Sequence, residues 1–305
     1  MIGKRVFFGR PKLKQLVSGG YRPVDMHFHT RYSDGINSVK GVLKHCKKKN
    51  IGVAITDHNE IRGSLQAVKQ KEVMVIPATE LSVLEGFHVL FYFYDHKEMK
   101  EFYDKYVKNF KPKQPLGRLP VSLAKYMELA KDYNCVYSIA HPSDKWFLNF
   151  ARVLTNKQLF MRLDKYIDKL QAVEVVCGQS GRWSNFQATV FATTLNTMIT
   201  AGSDGHSITP LGKVVSCAYA DNVGDFLDSV RNKQNIVVGL PITLPRKIAV
   251  NVAPFTQYMR YWDDALRPRN WAKFAYWLGK TVGIFEDEKV EIDPTTNEKV
   301  VKHDR

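Results

Sequence analysis

Residues 24–35 read Val-Asp-Met-His-Phe-His-Thr-Arg-Tyr-Ser-Asp-Gly, and this stretch decides how the rest of the chain is interpreted. If residues 22–29 form a strand, its side chains alternate between two faces, so His27 and His29 share one side with Asp25. Imidazole nitrogens, followed by a turn that carries a carboxylate, are suitable ligands for a transition metal. A His-x-His pair alone is more often structural than metal-binding, so the rest of the sequence has to support the interpretation.

Length and composition are those of an ordinary globular protein. The 305 residues suffice for one large α/β domain with additions or for two domains, and 44% of them are hydrophobic and 25% charged. The four cysteines include no Cys-x-x-Cys pair, which argues against a thiolate zinc site and predicts a reducing, cytoplasmic location. No apolar run is long enough to cross a bilayer or to act as a secretory signal, so we expect a soluble protein.

The chain is strongly basic. It has 45 Lys and Arg against 30 Asp and Glu, a formal charge of +15. Such an excess favours anionic partners such as nucleic acid, nucleotides, phosphorylated metabolites or an acidic membrane face, although a solvated basic surface is the alternative. Residues 1–21 contain five basic residues and no acid, and the sequence predicts a basic N-terminal arm ahead of the first strand.

Apolar runs rich in branched residues alternate with segments of helical pattern, which indicates an α/β fold around a mainly parallel sheet. We predict seven strands, near residues 22–29, 51–56, 73–79, 87–94, 135–140, 172–177 and 197–203. Helices are expected near residues 38–49, 60–70, 121–133, 157–170 and 184–195.

Histidines and carboxylates follow the ends of these strands, where barrels of parallel strands place their chemistry. His88 instead begins the fourth strand, but the connection before that strand is too short for a crossover helix, which predicts that the strand is antiparallel. His88 then lies at the same rim as the others. The rim set comprises His27, His29, Asp34, His58, Glu80, His88, His141, Asp204 and His206. So many close ligands indicate divalent cations, because without metal they would carry large desolvation costs.

The rim residues lie in seven sequence motifs: His27-x-His29, Ser33-Asp34-Gly35, Thr56-Asp57-His58, Ala78-Thr79-Glu80, His88, Ala140-His141-Pro142 and Gly202-Ser203-Asp204-Gly205-His206. In type and order these motifs resemble those of the polymerase and histidinol phosphatase (PHP) family of phosphoesterases. The resemblance covers about residues 22–240. The subgroup most similar to this chain contains stand-alone enzymes that act on nucleoside bisphosphates and RNA 5′ ends. The region between His88 and His141 is shorter than their helical insertion, so a reduced lid is expected.

The resemblance implies a distorted seven-stranded (β/α) barrel with a C-terminal helical extension. The expected divisions are residues 1–21 for the arm, 22–245 for the barrel, and 246–305 for the extension and a charged tail. Aromatic residues of the extension follow helical spacing, which is typical of packing within a domain. An aromatic and basic surface for nucleic acid or a membrane face is the alternative. The tail after residue 286 is expected to be a charged hairpin or a loose end.

The resemblance also implies three divalent metal ions, of zinc, manganese or iron. The first would be held by His27, His29, Glu80 and Asp204, the second by Glu80, His88 and His141, and the third by Asp34, His58 and His206. The residues placed nearest the reaction are His27, His29, Glu80, His141 and Asp204. Asp57 is expected to orient an imidazole ligand from outside the metal shell.

The hypothesis is a metal-dependent phosphoesterase in which a hydroxide bridging two ions attacks phosphorus. Nucleotides, nucleoside bisphosphates or RNA ends are the expected substrates. The alternatives are a metabolite phosphatase of the histidinol phosphate type and an inactive nucleic-acid-binding module. Candidate phosphate donors in the rim loops are Arg182, Arg31, Arg62 and Lys145, of which Arg182 beside Trp183 is the preferred one.

Overall fold

The computed structural model describes residues 2–143, 166–240, 289–292 and 299–302. The chain divides into two compact units, Met1–Arg260 and Tyr261–Arg305. The strands of the first unit are β1 (Val6–Phe8), β2 (Arg22–Phe28), β3 (Gly52–Ile55), β4 (Val75–Ile76), β5 (Ala78–Ser82), β6 (His88–Phe93), β7 (Cys135–Ile139), β8 (Ala172–Cys177), β9 (Met198–Gly202), β10 (Val214–Ala218) and β11 (Ile236–Gly239).

The helices of the first unit are α1 (Leu13–Ser18), α2 (Val39–Lys49), α3 (Arg62–Ala67), α4 (His96–Tyr106), α5 (Leu123–Leu129), α6 (Arg182–Thr194) and α7 (Val223–Arg231). Short 3-10 turns occur at Ile2–Arg5 and Ala130–Asp132. Ser38 begins α2 because its side chain accepts a hydrogen bond from the backbone N–H of Gly41, and Asn50 ends the helix in the left-handed conformation. Within the described residues, no helix has the length and apolar character that a bilayer crossing demands.

The described strands of the first unit form two sheets, so the predicted seven-stranded barrel is not observed. One sheet has six strands in the order β1-β11-β10-β2-β3-β4, and the other has five in the order β5-β6-β7-β8-β9. The separation between β4 and β5 falls at Pro77, inside the predicted third strand, because proline lacks the N–H that would continue a ladder. The fourth predicted strand is antiparallel as expected, since β6 pairs in that sense with β5 and with β7.

The N-terminal segment is part of the fold. Residues 1–21 were expected to precede the first strand, but β1 pairs in parallel with β11 at the edge of the six-stranded sheet. The predicted extension, residues 246–305, lies mostly outside the described residues. The tail forms the expected hairpin, in which β12 (Lys289–Ile292) pairs antiparallel with β13 (Lys299–Lys302).

The two sheets pack against each other through an apolar core. Val24 and Met26 of β2 lie in the same buried cluster as Leu90 and Tyr92 of β6, and the Tyr92 hydroxyl donates to the backbone carbonyl of Met26 at 3.0 Å. Phe28 instead packs with α2 residues. The β2–β3 register shifts between Asp25 and Phe28. His27 and His29 nevertheless lie on one side as predicted, since both contact Glu80 and Asp204.

Candidate metal centre

Glu80, on β5, lies at the centre of the cluster and is fully buried. Its two oxygens face different imidazoles. Oε2 lies 3.0 Å from His58 Nδ1, 3.3 Å from His27 Nε2 and 3.4 Å from His29 Nε2. Oε1 lies 3.2 Å from His88 Nδ1 and 3.3 Å from His141 Nε2. One carboxylate is thus positioned to serve two neighbouring ions.

Two aspartates complete the cluster. Asp34 Oδ2 lies 3.1 Å from His206 Nε2 and 3.5 Å from His58 Nε2. Asp204 Oδ1 lies 3.1 Å from His29 Nε2 and 3.4 Å from His27 Nε2. The structure therefore brings all nine predicted ligand residues into one contiguous cluster.

The ligand atoms form four overlapping groups whose members lie within 4.8 Å of one another. The groups are His27 with His29 and Asp204; His27 with Glu80 and His141; His58 with Glu80 and His88; and His29 with Asp34, His58 and His206. The arrangement differs from the predicted division, which had three groups. His27, His29 and His58 each belong to two of the four observed groups, and His88 and His141 fall in different groups. Both the number of ions and the assignment of ligands to each remain proposals.

The buried polar atoms of this cluster fit a bound cation. Neither oxygen of Glu80 accepts a hydrogen bond of good geometry from any residue that the structure describes, and the same holds for Nδ1 of His29 and of His58. Polar atoms buried without partners carry a substantial desolvation cost. Imidazole nitrogens and carboxylate oxygens are the donor set preferred by zinc, manganese and iron, so divalent ions would satisfy these atoms.

The electrostatics of the cluster lead to the same interpretation. Burial would raise the pKa of Glu80, but the imidazoles of His58 and His27 hold it well below its usual range. Burial likewise opposes ionisation of Asp34, whose pKa is nevertheless held low by His206 and His58. The carboxylates of this site are therefore ionised and require positive charge beside them, which metal ions would provide.

Glu174, on β8, is a site residue to which the sequence assigned no role. It is 1% exposed, its Oε1 lies 3.0 Å from His27 Nδ1, and its Oε2 accepts a hydrogen bond from the backbone N–H of His141 at 2.9 Å. A carboxylate on one ring nitrogen fixes the tautomer and leaves the other nitrogen available as a ligand. Glu174 thus directs Nε2 of His27 towards Glu80 and Asp204.

Two residues of the cluster adopt strained backbone conformations. His141 has φ of 28° and Asp204 has φ of 49°, in the left-handed region that side chains with a Cβ disfavour. Each amide is held by a hydrogen bond, that of His141 to Glu174 at 2.9 Å and that of Asp204 to the His27 carbonyl at 2.7 Å. Such strain costs about 1–3 kcal/mol per residue and is typical of functional sites.

Two buried aspartates organise the loops around the cluster. Asp57 accepts hydrogen bonds from the Thr30 N–H, the Thr30 hydroxyl and the Ser33 hydroxyl, each at 2.7 Å. It therefore fixes the loop that carries Asp34, whereas we expected it to orient an imidazole. Asp25 accepts from the backbone N–H groups of Ser203 at 2.8 Å and Gly212 at 2.9 Å. Burial raises the pKa of each of these two carboxyl groups to about 6.

Comparisons with known proteins agree with this geometry. Residues 25–134 match the model of the PHP domain. This segment of the chain is similar to a PHP domain. This confirms the family resemblance that the metal-ligand motifs indicated in the sequence.

Solved structures of similar fold extend beyond the matched segment. The lesion-specific endonuclease Q of Pyrococcus furiosus superposes with a TM-score of 0.56 at 16% identity, over 71% of this chain and 57% of that one. A complex of endonuclease Q with a 27-mer duplex containing an abasic lesion gives 0.56 at 17% identity, over 72% and 60% of the two chains. A protein classed as a metal-dependent phosphoesterase from Bifidobacterium adolescentis gives 0.50 at 16% identity, over 74% and 98%. At these identities the likeness shows the fold.

One curated relative shares a short stretch of sequence. An uncharacterized protein of Methanocaldococcus jannaschii is 40% identical over 77 residues, which is 20% of this chain. The chain covers 45% of the length of that relative.

The candidate phosphate donors that the structure describes lie in different environments. The guanidinium of Arg62 is bound to Glu60, with Nε 2.9 Å from Oε2, and lies over the Tyr32 ring. Arg31 and Arg182 are exposed, and Arg182 is the first residue of α6. Lys145 lies outside the described residues. Arg62 is therefore the least available of the described three, because Glu60 already occupies its donors.

An exposed aromatic pair follows Arg182. Trp183 is 63% exposed and Phe186 is 48% exposed, and their ring centroids lie 5.5 Å apart in a stacked arrangement. The preceding loop is held in place by Asn185, which exchanges two hydrogen bonds of 3.0 Å with the backbone of Cys177. Exposed stacked aromatic rings near a basic side chain are suited to contact a nucleobase.

Glu174→Gln is expected to lower metal affinity by about 10–100-fold, with a parallel loss of any metal-dependent activity. The amide keeps the shape of the side chain but removes the charge that polarises His27. Metal binding would be measured by titration with Zn²⁺ and Mn²⁺ against a competing chelator. Glu72→Gln is the control, because the Glu72 side chain is 66% exposed and pairs with Lys47 at the surface. Equal affinity of both variants for metal would contradict a role for Glu174.

Proposed function

We propose that this protein is a metal-dependent phosphoesterase that hydrolyses phosphate esters of nucleotides or nucleic acids. One observation carries the proposal: eight other side chains of ligand type cluster with the fully buried Glu80, whose oxygens accept no well-formed hydrogen bond from the described residues. Without bound cations, the buried carboxylates and imidazoles of this cluster would carry an uncompensated desolvation cost.

The metal shell proposed here consists of the nine rim residues, with Glu80 shared between two ions. Divalent ions held by them would supply an activated water for attack on phosphorus and positive charge for the phosphoryl oxygens. We propose three ions, drawn from zinc, manganese or iron, because nitrogen and oxygen ligands suit each of these metals.

The residues of the chain itself prepare this chemistry. Glu174 accepts a hydrogen bond from Nδ1–H of His27, so the lone pair of Nε2 faces the centre. Glu80, with Asp34 and Asp204, brings negative charge into a site where all three are buried or nearly so. His27, His29, Glu80, His141 and Asp204 are the residues proposed to lie nearest the reacting phosphate.

The proposed substrate class follows from charge and from the rim. The chain carries +15 formal charges, which favours polyanions over small neutral metabolites. Arg182 and the Trp183–Phe186 pair lie just beyond the loop that follows β8, and offer a cation beside an aromatic surface. The structural neighbour endonuclease Q is complexed with a DNA duplex, which supports nucleic acid as the substrate.

The test is an assay with a panel of phosphate esters and controlled metal. The panel contains a mononucleotide, a nucleoside bisphosphate, a short 5′-phosphorylated RNA and histidinol phosphate. Hydrolysis of a nucleotide or RNA substrate is expected with added Mn²⁺ or Zn²⁺, with loss on EDTA treatment and recovery when metal is restored. Elemental analysis would run in parallel. A fully metallated protein that turns over none of the four esters would refute the proposal.

A further inference from the structure

A basic cleft lies outside the metal centre. It has a volume of about 390 Å³, and five of its lining residues are cationic: Arg10, Lys12 and Lys14 from the N-terminal segment, Lys49 from the end of α2, and Lys213 from the loop before β10. We call the cavity lined by these five residues the N-terminal basic cleft. The volume is within the range of about 300–1,000 Å³ that is typical of ligand sites.

No carboxylate is among the described residues that line this cleft. The three cations of the N-terminal segment are exposed, whereas Lys49 is half-buried and donates from Nζ to the Leu211 carbonyl at 2.7 Å. Asp25 is the acid that acts on Lys49. Five cations gathered in one cleft repel one another, and the repulsion is greatest where solvent screening is reduced. A ligand that carries several negative charges would relieve it.

The cleft is connected to the metal centre through Asp25 of β2. The backbone N–H of Gly212, a lining residue, donates to Asp25 Oδ2 at 2.9 Å, and Ser203, beside Asp204, donates to the other oxygen of Asp25. Asp25 is fully buried, so this link between the cleft and the metal centre runs through protein atoms. An oligonucleotide, at roughly 3.4 Å per stacked nucleotide, can extend along the surface from the cleft.

We propose that the N-terminal basic cleft is a second binding site, which takes the phosphodiester backbone of a nucleic-acid strand. Its five cations come from three separate segments of the chain, which fits a ligand with several phosphates, such as a phosphodiester backbone. The proposal deepens the proposed function, on which it rests for the substrate class. Its test measures binding without turnover, so each can fail alone.

The experiment is fluorescence anisotropy of a 5′-labelled 20-nucleotide single strand in EDTA, at several salt concentrations, with the full chain. Lys12→Ala combined with Lys14→Ala is expected to raise the Kd at least 10-fold near 100 mM salt. The slope of log Kd against log salt should fall by about 1.4, because each lost phosphate contact to a single strand contributes about 0.7. Both lysines are exposed, so the variant should fold normally.

The matched control is Lys69→Ala combined with Lys71→Ala. These lysines are exposed, have the same spacing and change the net charge equally, but neither lines the cleft. The control should bind the strand as the wild type does. An equal loss of affinity in both variants, or no loss in the first, would overturn the proposal. Displacement of the strand by tripolyphosphate at equal phosphate concentration would also overturn it, because a compact anion would then be the preferred ligand.

A second readout separates the cleft from the metal centre. Hydrolysis of p-nitrophenyl phosphate, which is too small to reach the cleft, should be unchanged in the Lys12 and Lys14 variant. If the wild-type protein hydrolyses no ester, the binding comparison still decides the question of the cleft. A fall in the rate on this small ester that matched the fall in strand affinity would show that the cleft is not a separate site.

Discussion

Replacing Glu80 with glutamine is expected to lower the hydrolysis of phosphate esters by at least about 10³-fold, or about 4 kcal/mol in the activation barrier. Glu80 is the one carboxylate whose oxygens lie within 3.4 Å of five imidazoles. An amide at this position carries no negative charge. Its NH₂ group would also point at imidazole nitrogens that serve as ligands, so two proposed ions would each lose a shared ligand.

Metal content and catalysis should fall together in this variant. We would measure bound metal by elemental analysis after purification without chelators, and kcat/KM on an ester that the wild-type protein cleaves. Circular dichroism would check that the fold is retained. Glu72→Gln, at an exposed surface position, should match the wild type in all three measurements. Turnover within tenfold of the wild type, with full metal content, would show that Glu80 is not a metal ligand.

The metal-ligand cluster was predictable because residues that follow parallel strands come together at the same end of the sheet. The prediction that the short connection before Phe87 makes the fourth strand antiparallel is confirmed by the β5–β6 pairing, and it places His88 beside Glu80. The chemistry of each ion could not be predicted in this way, because it depends on distances of a few tenths of an ångström.

The sheet arrangement was not predictable from the same pattern. The sequence motifs end at His206, and strands β10 and β11 lie beyond it in runs that carry no motif. The predicted third strand also hid a break, because its apolar residues continue through Pro77 while its hydrogen bonds do not. Counting apolar runs therefore gave seven strands, whereas the described part of the first unit has sheets of six and five.

The roles of Glu174 and Asp25 depend on tertiary contacts. Glu174 interrupts the apolar run of β8, and a lone acid in a strand buried on both faces has to be paired. The sequence therefore indicated that Glu174 has a partner. It did not indicate which residue that is, because His27 lies 147 residues away along the chain.

Gly202→Ala is expected to destabilise the protein by about 3 kcal/mol or more and to disrupt metal binding. Gly202 ends β9 where that strand meets β2, and a Cβ built on it would overlap the backbone nitrogen and the Cβ of His27. Both neighbours belong to the framework of the site, so they cannot yield as the end of a flexible side chain would. The overlap can be removed only if the two strands separate, and this separation moves His27 away from Asp204.

The separation would break hydrogen bonds that hold the strained backbone of Asp204, notably the 2.7 Å bond from its N–H to the His27 carbonyl. The midpoint of thermal unfolding should fall by roughly 6–12 °C, given about 2–4 °C per kcal/mol for a unit of this size. Gly9→Ala is the control, because a Cβ at Gly9 meets nothing within 4 Å. Its unfolding midpoint should stay within about 2 °C of the wild type. If Gly202→Ala unfolded at the wild-type temperature and retained its metal, the close approach of β9 to His27 would not be required for the site, and the strain at Asp204 would need another source.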